Sequence, residues 1–374
     1  MVLLKNARTV LPLKAGANIA VVGPSSDTHT GLVAPYFGDF LCYMPNETKG
    51  NKTYDCVPTI GEKIAQANVG GTTTIVPGID VDSKDRSRIA EAIAAAEAAD
   101  VVVLALGIDS TVEHEGWDVP DITLPGLQLS FAKEILALQK PTVLVLTGDD
   151  GTGIDELIDG ASAIVRTFYS GMQGSKALAS LLFGEANRWG KLPVTMYPAG
   201  YTSQLPAMGE HTGTAYAMAH GPGRSYRYYT GTPLFKFGEG LSLTTFSFVC
   251  DSVAAAAAIG STAAAKSVNV SCTVTNTGHV VGDEVLLVYH AVGNAIREKA
   301  SKLHPVPLKA LVEFDRVVDL APQASQKVAF ALDVEQALSV TTADGSKVVY
   351  PGEHQLIFST GVPGVPDVVQ TVTV

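Results

Sequence analysis

Positive charge is scarce in this chain. Its 26 lysines and arginines stand against 37 aspartates and glutamates, giving a formal net charge of −11 and an isoelectric point near 5.2. That balance excludes nucleic acid and anionic membrane as partners, because no basic patch can displace counterions from phosphates. Long apolar runs are missing as well, none approaching the roughly 18–20 residues that span a bilayer. The opening Met1-Val-Leu-Leu-Lys-Asn-Ala-Arg8 lacks the apolar core and small-residue cleavage site of a signal peptide. It enters apolar patterning at once, as the middle of a larger protein would. The four cysteines and eight histidines never fall at zinc or haem spacing, so no metal is expected. Gly148-Asp-Asp-Gly-Thr-Gly153 lacks the Lys-Ser/Thr of a P-loop, and no GxGxxG follows the first strand. No GxSxG elbow is present either. Nucleotide and serine-hydrolase readings fall away, and no cofactor is implied.

What is present describes a well-packed protein: 374 residues, 46% hydrophobic and 17% charged, enough for two or three domains with their own cores. Up to about residue 198, short β-branched runs alternate with helical patterns. Asn18–Val22, Thr72–Val76, Val101–Leu106, Thr142–Thr147 and Ala163–Phe168 read as strands. Thr59–Ala67, Arg86–Ala99, Leu127–Leu138 and Gly174–Phe183 read as helices, with a short turn of helix near Ile154–Ile158. That rhythm predicts an α/β fold, a mostly parallel sheet covered by helices on both faces. Residues 199–243, rich in Gly, Tyr, Pro and Thr, read as an ordered connector. Residues 244–374 read as strands only, separated by turns such as Asn276-Thr-Gly278 and Pro351-Gly352, and predict an antiparallel β-sandwich. The expected domains are therefore 1–198, 199–243 and 244–374.

The most informative stretch is Gly107-Ile-Asp-Ser-Thr-Val-Glu-His-Glu-Gly-Trp-Asp118, an acidic loop leaving the strand Val101–Leu106. Open α/β sheets bind ligands beyond the carboxyl ends of their strands. Here that edge offers Asp109, Glu113, Glu115 and Asp118 beside one indole, Trp117. Carboxylates exchange protons and accept hydroxyl hydrogen bonds, while an aromatic face packs against the C–H side of a sugar ring. The loop points to glycoside chemistry. Glu113 and Glu115, two residues apart, would point the same way in an extended loop and raise one another's pKa. Asp118 reads as a loop-fixing acceptor or arginine partner. Asp149 and Asp150 either line the same cleft or cap the following helix.

Cys42 and Cys56 bracket a polar loop carrying the acceptor patterns Asn46-Glu-Thr48 and Asn51-Lys-Thr53; Asn269-Val-Ser271 is a third. Cys250 and Cys272 are expected on neighbouring strands. Together the sequons and cysteine spacing suit a secreted glycoprotein.

Several motifs resemble one family. Leu3-Leu-Lys-Asn6 with Leu11-Pro-Leu13 resembles the segment leaving the barrel of glycoside hydrolase family 3 enzymes. Phe183-Gly-Glu-Ala-Asn-Arg-Trp-Gly-Lys-Leu-Pro-Val-Thr195 resembles the family's "FGxxNPxGRLPVT". The segment Tyr226–Ser242 resembles "YRFYTGxPLYPFGYGLSYT". Val274-Thr-Asn-Thr-Gly278 with Gly282-Asp-Glu-Val285 resembles the opening of its fibronectin type III-like domain. The acidic loop is most similar to the β-xylosidase branch, as is Tyr36-Phe-Gly38, a candidate substrate contact through Tyr36. Val119 departs from that branch, which carries Arg there, and Arg188-Trp189 departs from the Asn-Pro context. The resemblance implies a retaining β-glycosidase in which Glu113, or else Glu115, is the acid/base. The aspartate nucleophile would belong to a barrel domain absent from this chain, joined in cis or supplied separately. The substrate would be carbohydrate. The alternative is a carbohydrate-binding or interaction protein that has shed catalysis.

Overall fold

The computed structural model describes residues 1–33, 54–148, 151–205, 217–253 and 267–374. The chain divides into two compact units. The first is Met1–Gly190 with Met196–Thr202 and Pro233–Phe235; the second is Lys191–Thr195, Ser203–Thr232 and Lys236–Val374.

The first unit is built on a six-stranded sheet of β1 (Val2–Asn6), β2 (Asn18–Val22), β3 (Thr72–Val76), β4 (Val101–Gly107), β5 (Thr142–Thr147) and β6 (Ala163–Phe168), in the order β1-β6-β5-β4-β2-β3. All neighbours are parallel except β1, which runs antiparallel to β6. Helices α1 (Ile60–Ala67), α2 (Ile89–Ala98), α3 (Gln128–Ala137) and α4 (Gly174–Leu182) connect and cover it. The central strands β4 and β5 carry unbroken apolar runs, Val101–Leu106 and Val143–Leu146, because both their faces are covered. Val102 to Leu106 and Val143 to Leu146 are wholly buried, each valine or leucine among them worth roughly 1.5–3 kcal/mol removed from water. Helix α1 begins at a capping box: Glu62 N–H donates to Thr59 Oγ1 at 3.1 Å, and Thr59 N–H to Glu62 Oε2 at 2.8 Å.

The second unit contains a sandwich. One sheet is β10-β9-β14-β15, from β9 (Gly282–Val292), β10 (Ala310–Leu320), β14 (Glu353–Ser359) and β15 (Val368–Thr373). The other is β11-β8-β7, from β7 (Phe246–Cys250), β8 (Ser267–Asn276) and β11 (Ser325–Asp333). A small ribbon, β12 (Val340–Thr341) with β13 (Lys347–Val348), stands apart. Alternation on β8 turns Val268, Val270, Cys272 and Val274 inward to meet Val328 and Phe330 of β11 and Leu356 and Phe358 of β14. Cys250 and Cys272 lie opposite each other on β7 and β8 and form a disulfide.

The expectation of strands alone beyond Thr245 is corrected. Helix α6 (Asn294–Ala300) follows β9 and α7 (Val334–Ala337) follows β11, whereas the four-residue α5 (Ser225–Tyr228) precedes the sandwich. Ile296 and Ala300 bury one side of α6 in a sequence too short to declare a helical period.

Several buried polar side chains in this unit are paired with one another. Lys191 Nζ meets Glu284 Oε1 at 2.7 Å and the Gly240 carbonyl at 2.8 Å. Next door, Asp283 accepts from Arg316 at 3.1 Å and from the Asp319 N–H at 2.9 Å. This is the structural content of Gly282-Asp-Glu-Val285. Elsewhere, His290 Nε2 lies 2.9 Å from His354 Nδ1, and His354 Nε2 lies 2.8 Å from the Tyr350 carbonyl. A carbonyl only accepts, so the His354 proton sits on Nε2 and His290 donates to Nδ1. Burial, then His354, then Arg297 push His290 down from 6.5 to about 3; burial also lowers His354. Between those values the unfolded chain takes up a proton that the native His290 refuses. Stability is therefore full above pH 6.5 and declines as pH falls toward about 3. Denaturant titrations at pH 7.5 and pH 4.5 are expected to show that decline, and His290→Leu/His354→Leu to flatten it. An equally steep acid loss in the double variant removes the histidine pair as the cause.

Candidate active site

The acidic loop begins where β4 meets β5. A Cβ at Gly107, whose φ is +146°, would collide with the Thr147 carbonyl, and one at Gly148 with the Ile108 carbonyl. Only glycine lets the two backbones touch there. Ile108 is buried, and from Asp109 the chain turns into solvent. The Asp109 carbonyl accepts the N–H groups of Val112 (3.0 Å) and Glu113 (3.1 Å), and its Oδ1 accepts that of Thr111 (2.9 Å). The segment is thus one compact turn. It is not the extended loop expected from sequence, so the premise that Glu113 and Glu115 point the same way does not hold.

After Glu113 the chain makes a tight hairpin. His114 N–H donates to the Trp117 carbonyl at 3.1 Å and Trp117 N–H to the His114 carbonyl at 2.9 Å, with Glu115-Gly116 as the two-residue connection. The environments of the two glutamates differ. Glu115 is exposed at the tip, while Glu113 is half-buried, with its Oε2 shielded from solvent. Trp117 is 64% exposed, an indole held out by the hairpin instead of packed beneath it.

A cavity of about 590 Å³ opens beside this hairpin. His114, Trp117, Asp118 and Val119 form one wall, Asp82 of the β3–α2 segment another, and Gly151 and Thr152 beyond β5 a third. Asp121 also lines it; its Oδ1 accepts from the Thr123 N–H at 2.8 Å, and the adjacent Ile122 carbonyl accepts from Gly153 N–H at 2.7 Å. The carboxylates of Asp82, Asp118 and Asp121 meet no lysine or arginine among the described lining residues. A wall of that sign repels anionic ligands and favours neutral ones that donate hydroxyl hydrogen bonds.

Of the residues singled out from sequence, Trp117 and Asp118 reach the cavity. Among the described residues, Asp109, Glu113 and Glu115 do not line it. Asp118 Oδ1 accepts from the Val119 N–H at 2.9 Å, a local bond that shapes the loop. Tyr36, Cys42, Asn46, Asn51, Asp149 and Asp150 lie outside the described residues; Cys56 is disulfide-bonded. Asn269 is exposed on β8. Asp82 and Asp121 were not anticipated, since neither stands near the motif that drew attention. Arg166 of β6 was missed too: it is wholly buried, 5.3 Å from the Phe168 ring. Among the described residues no cluster of three or more His, Cys, Asp or Glu side chains is arranged to hold a metal ion, and no helix is long and apolar enough to cross a membrane.

The chain belongs to glycosyl hydrolase family 3: the family's C-terminal domain matches residues 1–243, and a fibronectin type III-like domain matches residues 284–360. It is similar to a probable exo-1,4-beta-xylosidase, bxlB, of Aspergillus flavus, with 33% identity over 380 residues, 96% of this chain and 44% of that protein. The exo-1,4-beta-xylosidase xlnD of Emericella nidulans is 32% identical over 370 residues, covering 95% of this chain and 43% of the relative. Among solved structures, a GH3 exo-beta-xylosidase (XlnD) in complex with a xylobiose aziridine activity based probe superposes with a TM-score of 0.79 at 29% identity, over 100% of this chain and 46% of that one. A beta-glucosidase from Listeria innocua in complex with glucose gives 0.76 at 25% identity, over 100% and 48%. The chain thus spans less than half the length of the curated relatives it matches.

Proposed function

We propose that this chain is the part of a retaining β-glycosidase, β-xylosidase-like in substrate, that supplies the acid/base glutamate to an active centre completed by another domain. The observation that carries this reading is the turn-and-hairpin leaving β4. It holds Glu113 half-buried and Trp117 exposed beside a cavity walled by carboxylates. Retaining hydrolysis needs two carboxyl groups about 5–5.5 Å apart, one nucleophilic and one that first protonates the leaving oxygen and then deprotonates water. Glu113 takes the second role, being the glutamate whose Oε2 is shielded from solvent, while Glu115 stands exposed at the hairpin tip. The nucleophile is an aspartate on a barrel domain, in cis or on a separate chain. Trp117 packs against a sugar ring, and Asp118 and Asp82 accept its hydroxyls. The domain limits 1–198, 199–243 and 244–374 belong to the same proposal. So does secretion as a glycoprotein modified at Asn46, Asn51 and Asn269, which the Cys250–Cys272 disulfide favours.

Alone, the 374-residue chain is expected to leave 4-nitrophenyl β-D-xyloside intact, and to gain turnover when joined to a barrel bearing the nucleophile. Proton NMR of the first product should then show the β anomer. Hydrolysis by the isolated chain, or the α anomer appearing first, contradicts the reading. The second reading, a binding protein without catalysis, draws on Val119 and on the exposure of Trp117. It requires xylobiose to quench Trp117 fluorescence while the joined protein stays inactive.

A further inference from the structure

Strand β4 outruns its neighbour. β2 ends at Val22, opposite Leu104, whereas β4 continues to Gly107 with β5 still paired on its other side. Successive residues of a strand aim their backbone N–H and C=O alternately toward the two flanking strands. Ala105 uses the β2 side, its carbonyl accepting from the Ser25 N–H at 3.2 Å. Leu106 uses the β5 side, its carbonyl accepting from Thr147 Oγ1 at 3.2 Å. Gly107 therefore turns both its groups toward a side from which β2 has already departed. Gly107 is buried, so water does not satisfy them, and an unmade hydrogen bond there carries the full desolvation cost of the group.

Gln128, the first residue of α3, fills the gap with its side chain. Its Oε1 accepts the Gly107 N–H at 2.9 Å, and its Nε2 donates to the Gly107 carbonyl at 2.7 Å. The second Nε2 hydrogen goes to the Val81 carbonyl at 2.8 Å. One N–H to accept and two carbonyls to serve fix which end of the amide is oxygen. The side chain is wholly buried, and it does not cap its own helix. Its bonds all go to two backbone segments: the exit of the acidic loop, and the β3–α2 segment that carries Asp82 into the cavity. Next door, the start of α3 is tied to that β3–α2 segment by the Leu127 N–H on the Ser83 carbonyl at 3.1 Å.

We propose that Gln128 is a positioning residue. Its carboxamide replaces the missing strand, fixes the point at which residues 109–118 leave the sheet, and so sets where Glu113 is held relative to the cavity wall. The inference rests on the reading of Glu113 as the acid/base. No other side chain of similar size serves. Asparagine falls a methylene short, glutamate offers no donor to two carbonyls when ionised, and methionine fills the volume without a polar atom.

Hydrogen exchange followed by mass spectrometry on the chain itself tests this without substrate. In Gln128→Met, peptides covering 107–118 are expected to exchange about tenfold faster than wild type. Peptides covering Asn18–Val22 and Thr142–Thr147 keep wild-type protection. Gln128→Glu adds a signature that lost packing does not produce. Burial raises its carboxyl pKa, so at pH 5 the neutral acid donates to the Gly107 carbonyl and protection of 107–118 approaches wild type at that pH. At pH 8 the carboxylate faces two carbonyls and protection is lost. Unchanged exchange of 107–118 in Gln128→Met, or equal acceleration across the whole sheet, overturns the proposal; so does pH-independent behaviour of Gln128→Glu. The acid/base reading fails separately, by retained turnover in Glu113→Gln, which leaves the exchange comparison standing.

Discussion

On the proposed role, replacing Glu113 by glutamine is expected to lower kcat/KM for 4-nitrophenyl β-D-xyloside by about 10²–10⁴-fold once the chain is joined to a barrel bearing the nucleophile. The size of the effect follows from the role. Glutamine keeps the shape of the side chain and cannot deliver a proton to the departing oxygen. The loss should depend on the leaving group: a dinitrophenolate departs without protonation, so its xyloside suffers less in the first step. Water activation in the second step remains impaired, and azide, which needs no base, should restore turnover and give a glycosyl azide. Glu115 sits exposed at the tip of the hairpin. Its glutamine variant is expected to lose less than about tenfold, within the range of a positioning or hydroxyl contact. A larger loss at Glu115 than at Glu113 reverses the assignment.

The second large effect is on stability. Lys191 and Glu284 are a close pair with side chains 10% and 3% exposed. Burial pushes the Lys191 ammonium below its ordinary range, and Glu284 offsets part of that shift. Lys191→Met strips the carboxylate of its counter-ion and leaves it with the Val285 N–H at 2.8 Å. Breaking a buried pair from one side costs about 3–5 kcal/mol, whereas removing both charges together is often close to neutral. Urea denaturation should therefore show a severe loss for Lys191→Met and recovery of most of it in Lys191→Met/Glu284→Leu. A single-variant loss below about 1 kcal/mol would mean that the pair is solvated in practice, as surface pairs are.

The sheet was legible in the sequence where burial on both faces forced an unbroken apolar run. Asn18–Val22, Thr142–Thr147 and Ala163–Phe168 stand in the structure at the limits read from the sequence, and Val101–Leu106 gains one residue. α1 was legible through Thr59 and Glu62, residue types that announce a helix start. β1 was not, because its partner Ala163–Arg166 lies far along the chain and five apolar-leaning residues at a terminus carry no period. β10 stayed hidden behind Glu313-Phe-Asp-Arg316, whose charges face solvent at a sheet edge. At the site, the motif drew attention to a loop that adjoins the cavity, but its shape differs from the extended one read from sequence. Two of the bonds that close the turn, from the Val112 and Glu113 N–H groups to the Asp109 carbonyl, are backbone bonds, invisible to residue type. Gln128 escaped notice for a deeper reason. Its partners are main-chain atoms of Gly107 and Val81, and the need arises from a mismatch in strand length that exists only in three dimensions.

The bare contact of Gly107 and Gly148 with neighbouring carbonyls divides the site into an immovable part and a plastic one. Nothing with a β-carbon fits the seam, so inherited change there is vetoed sterically before chemistry is consulted. Beyond it, Glu115 to Asp118 stand exposed at the hairpin and can be rewritten without disturbing the platform. Libraries aimed at new sugars would diversify that arc and leave the seam untouched.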